Sequence, residues 1–190
     1  MKKQILSSLV LSLLCALLLC VLYPALLLVV AKASAGGGNG VTIQHSGKRY
    51  YIAVAQRFSE DRYFWPRPSA VDYNASGSGG SNKGPFNKLY LKLVQQRIDS
   101  FLIHNPGAIK AQIPSELVTA SGSGLDPDIS YEAAMIQVKR VAAARNVSEK
   151  RIKSMIQDHC SRSLLGPAII NVLLLNIALD RMAYNDNLKK

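Results

Sequence analysis

Two stretches rich in serine and glycine, residues 75–82 and 120–127, have the composition of anion-binding loops. Glycine lets successive backbone N–H groups point at one spot, so either stretch has the chemistry to hold a phosphate. A nucleotide-binding P-loop also needs Gly-Lys-Ser or Gly-Lys-Thr at its end, and neither stretch has one. Neither contains the Gly-x-Ser-x-Gly turn of a hydrolase. We interpret both as tight loops, with phosphate binding as the alternative.

The ionisable and nucleophilic residues in the second stretch do not indicate catalysis. Ser121 and Ser123 have no identifiable base to activate them. Asp126 and Asp128 lie near the predicted start of a helix, where the helix dipole stabilises a carboxylate. Two acids with no further carboxylates around them do not make a calcium loop. We therefore predict no catalytic residue in this stretch.

Several other polar residues could support either the fold or a partner contact. Arg67, which precedes Pro68, braces a turn or clamps a carboxylate of a partner. Asn171 and Asn176 lie in an apolar run, where internal hydrogen bonding is the favoured role and a partner contact the alternative. The same two alternatives stay open for Gln137 and Arg140.

Composition limits the function classes. From Val41 onward the chain has 20 Lys or Arg and 12 Asp or Glu, a net charge of +8. This surplus suits anionic lipid heads, cell-wall polymers or an acidic protein partner. The bases are spread along the chain without interleaved aromatic residues, so we predict no nucleic-acid binding. Only Cys160 lies outside the apolar N-terminus, and no His/Cys cluster has metal-ligand spacing, so we predict no metal site.

The N-terminus is predicted to span a membrane. Residues 5–30 are 26 consecutive uncharged residues, of which 17 are Leu, Ile or Val. At about 1.5 Å per residue a helix of this length covers about 39 Å, against a hydrocarbon core of about 30 Å. A cleaved signal peptide is the alternative, but its apolar region is usually only about 7–15 residues long. Lys2 and Lys3 favour a cytoplasmic N-terminus and an extracytoplasmic main domain. Tyr23-Pro24 predicts a kink, or a notch for packing against another membrane protein.

Beyond the span we predict an α+β fold, with one mixed, helix-rich extracytoplasmic domain. The predicted boundaries are 1–32 for the N-terminal tail and span, 33–40 for a Gly-rich tether and 41–190 for the domain. A small hairpin comes first, and a long loop follows from Arg57 to Pro85. The predicted helices are Phe86 to His104, a helix capped by Ser130 that runs through Arg145, a helix from Ser148 to about Cys160, and Ile170 to Tyr184 with a short strand at its start.

Several motifs together resemble one family. The apolar N-terminal span is followed by residues 63–70 (YFWPRPSA) and by Ser78-Gly79-Gly80-Ser81-Asn82. Residues 114–130 (PSELVTASGSGLDPDIS) come next, and residues 137–142 (QVKRVA) and 171–180 (NVLLLNIALD) follow. This series resembles KdpC, the C subunit of bacterial Kdp potassium-transporting P-type ATPases, over essentially the whole chain. The motif positions implied as family or partner-contact residues are Arg67, Pro68, Asn82, Ser121, Gly122, Ser123, Gly124, Leu125, Asp126, Gln137, Arg140, Asn171 and Asn176.

The resemblance implies a non-catalytic accessory subunit in the cell (inner) membrane that is needed for assembly of a potassium uptake complex. Its implied partners are a channel-like potassium-translocating subunit, a P-type ATP-hydrolysing subunit, a small single-span subunit and the lipid bilayer. The family role of a catalytic chaperone that raises ATP affinity conflicts with an extracytoplasmic domain, which cannot reach cytoplasmic ATP. We therefore expect ATP and potassium to be handled by the complex, with no cofactor on this chain.

Two departures and two alternative functions stay open. Leu174 stands where the family usually has Glu, and Ile169 where it often has Arg, so polar contacts at these positions would be replaced by apolar ones. A membrane-anchored binder of anionic cell-envelope polymers is the alternative function suggested by the +8 domain. An anchored hydrolase would need a nucleophile–base pair, which the sequence does not offer.

Overall fold

A computed structural model of the chain describes residues 2–162 and 166–188, with side chains in the last helix described as far as Tyr184. The chain divides into two compact units, the first ending at Gln44 and the second beginning at His45. The fold is mixed, with one long apolar N-terminal helix and a helix-rich second unit that contains small sheets. The predicted α+β class is confirmed.

The N-terminal helix consists of α1 (Lys2–Leu17), a π-helical turn (Leu18–Leu22) and α2 (Tyr23–Ala33). Among the described residues it is the one helix long and apolar enough to cross a membrane. At the end of the π-helical turn the N–H of Tyr23 donates to the carbonyl of Leu18, five residues back. Pro24 follows directly and has no N–H to donate, so the disturbance predicted at Tyr23-Pro24 takes the form of this wider turn. A packing role for these two residues stays a prediction.

Two short strands, β1 (Thr42–His45) and β2 (Lys48–Tyr51), form the predicted hairpin. Its two-residue connection is Ser46-Gly47, and both residues have positive φ, 49° and 74°. Positive φ at both positions is the property of the tight turns whose twist matches a β-hairpin, and glycine adopts it without strain. The chain is irregular from residue 52 to residue 87, which confirms the predicted long loop.

Helix α3 (Lys88–His104) begins after Asn87, whose side chain accepts a hydrogen bond from the N–H of Tyr90 at 2.9 Å. The predicted helix is confirmed, but most of its apolar residues do not face the core. Only Phe101 is buried, whereas Leu89 is 79% exposed. Two 3-10 turns follow, Lys110–Gln112 and Ser115–Leu117.

The helix predicted from Ser130 to Arg145 is divided into α4 (Tyr131–Met135) and α5 (Val138–Arg145). The side-chain Nε2 of Gln137 donates to the carbonyl of Ala133 at 2.9 Å, which is the acceptor that the Gln137 N–H would use in a regular helix. That N–H donates instead to the carbonyl of Ala134, three residues back. The side chain thus competes with the backbone and interrupts the helix.

The predicted caps on either side of the next connection are confirmed. Asn146 ends α5 in the left-handed conformation, with φ 55°. The side chain of Ser148 accepts a hydrogen bond from the N–H of Arg151 and begins α6 (Glu149–Asp158). Strand β5 (Ala168–Asn171) then leads directly into α7 (Val172–Leu188), as the pattern at the C-terminus predicted.

A three-stranded antiparallel sheet places β5 between β3 (Asp128–Ser130) and β4 (Cys160–Arg162). Ile170 in the central strand lies opposite Ile129 and Cys160 and is fully buried. Helices α4 and α7 pack against this sheet, and α6 packs against both of these helices, around one hydrophobic core. Its largest fully buried apolar side chains are Phe64, Ile129, Val138, Val141, Ile152, Ile156, Ile170, Val172, Leu175 and Leu179.

Candidate functional site

Two buried carboxamides hold the irregular segment around Phe64 and Trp65. The Asn176 side chain of α7 accepts from the Phe64 N–H at 2.8 Å and donates to the Phe64 carbonyl at 3.0 Å. The Gln137 side chain accepts from the Trp65 N–H at 2.8 Å and donates to the Trp65 carbonyl at 3.3 Å. Each amide side chain therefore pairs with both backbone polar groups of one residue. The internal hydrogen bonding predicted for Asn176 is confirmed.

Arg140 also binds this segment, and its side chain is buried, with the residue only 4% exposed. Its guanidinium donates to the carbonyls of Asp61 (2.7 Å) and Tyr63 (2.9 Å), and also to Asn105 Oδ1 (2.9 Å) and Gln137 Oε1 (2.6 Å). The guanidinium carbon lies 4.3 Å from the centre of the Trp65 ring, within range of a cation–π contact. Burial lowers the pKa of Arg140 to about 10, partly offset by the nearby Asp61 carboxylate, so the side chain stays charged at neutral pH.

A second arginine, which was not among the predicted contact residues, binds the other side of the segment. Arg145 donates to the carbonyl of Arg62 at 2.7 Å and to Asp180 Oδ1 at 2.8 Å. Asp180 Oδ2 accepts the Tyr63 hydroxyl at 3.0 Å and lies 3.2 Å from His45 Nε2. Burial, and then the Asp180 carboxylate, raise the pKa of Tyr63, so its hydroxyl remains a donor.

The next residues of the loop are fixed by an ion pair within the chain. The Arg67 guanidinium lies 2.6 Å from Asp126 Oδ2, and the Arg67 carbonyl accepts the Tyr73 hydroxyl at 2.9 Å. Asp126 also accepts the N–H of Asp128 at 3.1 Å. Asp128 lies in strand β3 and the helix starts only at Tyr131, so the helix dipole does not explain Asp126. Of the two roles open for Arg67, the structure shows it bracing the loop through a carboxylate of its own chain.

The two Ser/Gly stretches pack against each other and against this loop. The Gly79 N–H donates to the Ser123 carbonyl at 2.8 Å, and the Ser121 N–H donates to the Pro68 carbonyl at 3.0 Å. A Cβ on Gly124, where φ is +68°, would lie 2.7 Å from the Gly79 carbonyl oxygen. The N–H groups of Gly79, Ser121 and Gly124 all donate within the protein. Because these groups are occupied, the tight-loop interpretation fits the structure better than a phosphate nest.

The remaining motif residues occupy different positions. The Leu125 carbonyl accepts the Ala55 N–H at 2.9 Å, and Gly122 is exposed at the tip of its loop. Asn82 is exposed and has φ +50°. Asn171 donates to the Ile52 carbonyl at 2.9 Å and accepts the Leu174 N–H at 3.1 Å, so it caps α7. The internal hydrogen bonding predicted for Asn171 is confirmed.

A cavity of about 500 Å³ opens beside this loop. Its wall includes four aromatic side chains, and Arg97, Gln96 and His104 of α3 contribute polar groups. The Trp65 ring packs edge-on against Phe101 on this side, with ring centres 6.2 Å apart. Within residues 2–162 and 166–188, no group of three or more His, Cys, Asp or Glu side chains could hold a metal ion. The aromatic residues in the wall are Phe58, Trp65, Tyr73 and Phe101.

These observations define a chain with one candidate membrane-spanning helix in its described part, followed by a helix-rich α+β unit whose polar motif residues fix an irregular loop. The model of the KdpC family, described as the c chain of K⁺-transporting ATPases, matches residues 5–181, and the chain belongs to this family. It is 48% identical over 181 residues to the potassium-transporting ATPase KdpC subunit of Flavobacterium johnsoniae, covering 95% of this chain and 99% of that protein. The KdpC subunit of Flavobacterium psychrophilum is 49% identical over 182 residues, with the same coverage. That of Bacteroides fragilis is 42% identical over 187 residues, covering 95% of this chain and 98% of that protein.

Membership confirms the family resemblance of the sequence motifs. It assigns the chain to potassium transport, as a subunit of a Kdp-type ATPase, and the described residues include one candidate membrane-spanning helix.

Proposed function

We propose that the chain is a non-catalytic accessory subunit that holds an ATP-driven potassium uptake complex together. The proposed partners are a channel-like potassium-translocating subunit, a P-type ATP-hydrolysing subunit and a small single-span subunit. In this proposal the N-terminus is cytoplasmic and the second unit is extracytoplasmic, since Lys2 and Lys3 precede the span and only Lys32 closely follows it.

The use of the polar motif residues carries this proposal. Gln137, Arg140 and Asn176 are each at most 4% exposed and bind backbone groups of the Asp61–Trp65 segment. Arg67 is paired with Asp126. An enzyme would direct such residues at a substrate, whereas here they fix the shape of a surface. A fixed surface on a membrane-anchored unit suits a subunit whose task is to hold other subunits in place.

In this proposal the partner subunits, not this chain, bind ATP and potassium. No Asp, Glu, Lys, Arg or His lies between Ile5 and Val30, so this helix offers no charged group that could bind an ion within the bilayer. An extracytoplasmic unit acts on cytoplasmic ATP only through the membrane subunits. A chaperone effect on ATP affinity would therefore be an allosteric effect of assembly, with a coupling free energy shared by the two sites.

Affinity purification tests the subunit role. The full chain, tagged and expressed at limiting potassium, would be purified from membranes in mild detergent. We expect two much larger membrane proteins in equal amounts and potassium-stimulated ATPase activity in the same fraction. A folded chain that purifies alone would refute the proposal. Steeply salt-dependent binding to anionic wall polymers would then support the alternative that the +8 charge suggests.

Cysteine labelling tests the orientation. Ser78 is exposed, so a Ser78→Cys variant should react with a membrane-impermeant maleimide on intact cells or spheroplasts. The background would carry Cys160→Ala, because Cys160 is partly exposed in the same unit. Labelling only after the inner membrane is permeabilised would reverse the proposed orientation.

A further inference from the structure

Helix α3 presents a face that the fold leaves uncovered. Leu89, Leu93, Gln96, Ser100 and Ile103 follow one another at spacings of four and three residues, which places them on one side of a helix. Leu89 is 79%, Leu93 39% and Ile103 78% exposed, and Gln96 and Ser100 are also exposed. We call these five residues the α3 stripe. Phe86, just before the helix, is 90% exposed and extends this apolar surface.

The opposite side of α3 is firmly attached to the unit. The Tyr90 hydroxyl accepts the Ala120 N–H at 3.0 Å, and Arg97 donates to the Val118 carbonyl at 3.1 Å. Phe101 is buried in the core, and Asn105 caps the end of the helix by donating to the Phe101 carbonyl at 2.8 Å. The stripe is therefore held rigidly, so that little conformational entropy would be lost when a partner covers it.

The aromatic cavity adjoins the stripe. Gln96 and Ser100 belong to the stripe and also line the cavity of about 500 Å³, whose wall includes Trp65 and Phe101. A pocket next to an exposed apolar face is the usual setting of an interface hot spot, where one large side chain is buried and its neighbours exclude water. The pocket and the face can thus be covered by the same partner segment.

The charge around the stripe indicates the chemistry of that segment. Between Asp72 and Asp99 the chain contains Lys83, Lys88, Lys92 and Arg97 but no acidic residue. The three lysines are exposed, and Arg97 lines the cavity. Carboxylates on a partner would complement this basic region.

We propose that the α3 stripe and the adjoining aromatic cavity are the docking surface for an extracytoplasmic segment of a partner subunit, with an apolar anchor side chain flanked by carboxylates. This inference rests on the proposed function, which supplies the partner. A membrane surface fits less well, because polar Gln96 and Ser100 interrupt the stripe and Asp99 lies beside it. A second copy would bring the same surplus of positive charge to both sides.

Photo-crosslinking in native membranes tests the docking surface. A benzophenone amino acid would replace Leu89, Leu93 or Ile103, with Ser154 on the exposed side of α6 as the control position. We expect a crosslink from the stripe positions to a much larger membrane subunit and none from Ser154. A crosslink to a second copy, a crosslink to phospholipid, or no crosslink from any stripe position would each overturn the inference.

A charge-matched pair of variants gives a second measurement. Leu89→Glu with Leu93→Glu adds two negative charges to the stripe, and Ser154→Glu with Gln157→Glu adds the same two charges to α6. Because all four side chains are exposed, both variants should unfold at the wild-type urea midpoint. We expect the stripe variant to co-purify at least about tenfold less of the larger subunits than wild type, and the α6 variant to match wild type. If the wild-type chain and the stripe variant both co-purify the larger subunits equally well, the docking surface is refuted but the proposed function is not. If the wild-type chain purifies without the larger subunits, the proposed function is refuted.

Discussion

Replacing Arg140 by methionine should destabilise the second unit strongly, because the guanidinium satisfies several polar groups at once. Removing it leaves the Tyr63 carbonyl and Asn105 Oδ1 without the donors they have at 2.9 Å. A buried acceptor left unsatisfied costs about 1–3 kcal/mol, which gives about 2–6 kcal/mol for two. Removing a desolvated charge recovers part of this cost. We expect a net loss of about 3 kcal/mol, a large fraction of the roughly 5–15 kcal/mol by which most domains are stable.

Urea unfolding of the full chain in detergent measures this loss. Trp65 is the sole tryptophan and lies over the Arg140 guanidinium, so its fluorescence reports on this part of the unit. Circular dichroism serves as a second probe, because the substitution also changes the surroundings of Trp65. Arg49→Met is the matched control, since Arg49 is exposed on strand β2 and should change the free energy of unfolding by no more than about 0.5 kcal/mol.

A lysine at position 140 separates charge from geometry. Arg140→Lys keeps the positive charge but loses the planar fork that reaches four acceptors. We expect the free energy of unfolding of the lysine variant to lie between those of the wild-type protein and the methionine variant. A loss of less than about 1 kcal/mol for Arg140→Met would refute the reasoning, because it would mean that water or neighbouring donors replace the guanidinium without cost.

Three further predictions concern single positions. Gly124→Ala should cost about 2–4 kcal/mol in urea unfolding, because φ is +68° and the new Cβ would clash, whereas Gly77→Ala in open space should cost less than about 0.5 kcal/mol. Leu174→Glu should raise the unfolding free energy by about 0.3–1 kcal/mol, since a carboxylate there would complete a capping box with Asn171, and an unchanged urea midpoint would contradict this. Burial raises the pKa of Asp128, so the folded state keeps the Asp128 carboxyl protonated to higher pH than the unfolded state does. The wild-type protein therefore loses stability as the pH rises through this raised pKa. Asp128→Asn should therefore gain stability relative to wild type between about pH 3 and about pH 7, and a constant difference in urea midpoint across that range would refute the assignment.

Local signals in the sequence predicted much of the fold. Ser130 and Ser148 at helix starts and Asn146 at a helix end act through hydrogen bonds to residues a few positions away. The prediction of one continuous helix from Ser130 to Arg145 was wrong because the Gln137 side chain takes the Ala133 carbonyl from the helix backbone, while it also binds Trp65, 72 residues earlier in the chain. Local propensity carries no information about such a distant partner.

The site was less predictable than the fold for the same reason. Polar residues in an apolar run, Asn171 and Asn176, indicated internal hydrogen bonds, and the structure confirms them. Their acceptors lie 119 and 112 residues away, so only the folded chain identifies them. Arg145 and Asp180 lie in family motifs but were not predicted as contact residues, because each is an ordinary charged residue of a helix and 35 positions separate them.

The pairing of two carboxamides with the backbone at Phe64 and Trp65 affects how this loop moves. Asn176 and Gln137 supply the donors and acceptors that a neighbouring β-strand would supply, but Asn176 projects from α7 and Gln137 from the junction between α4 and α5. A segment without regular structure usually exchanges its amide hydrogens through small local openings. Here the two backbone N–H groups are released only when the segment leaves the buried side chains of Asn176 and Gln137. We therefore expect both to exchange slowly, close to the rate at which the whole unit unfolds, although the segment has no regular structure.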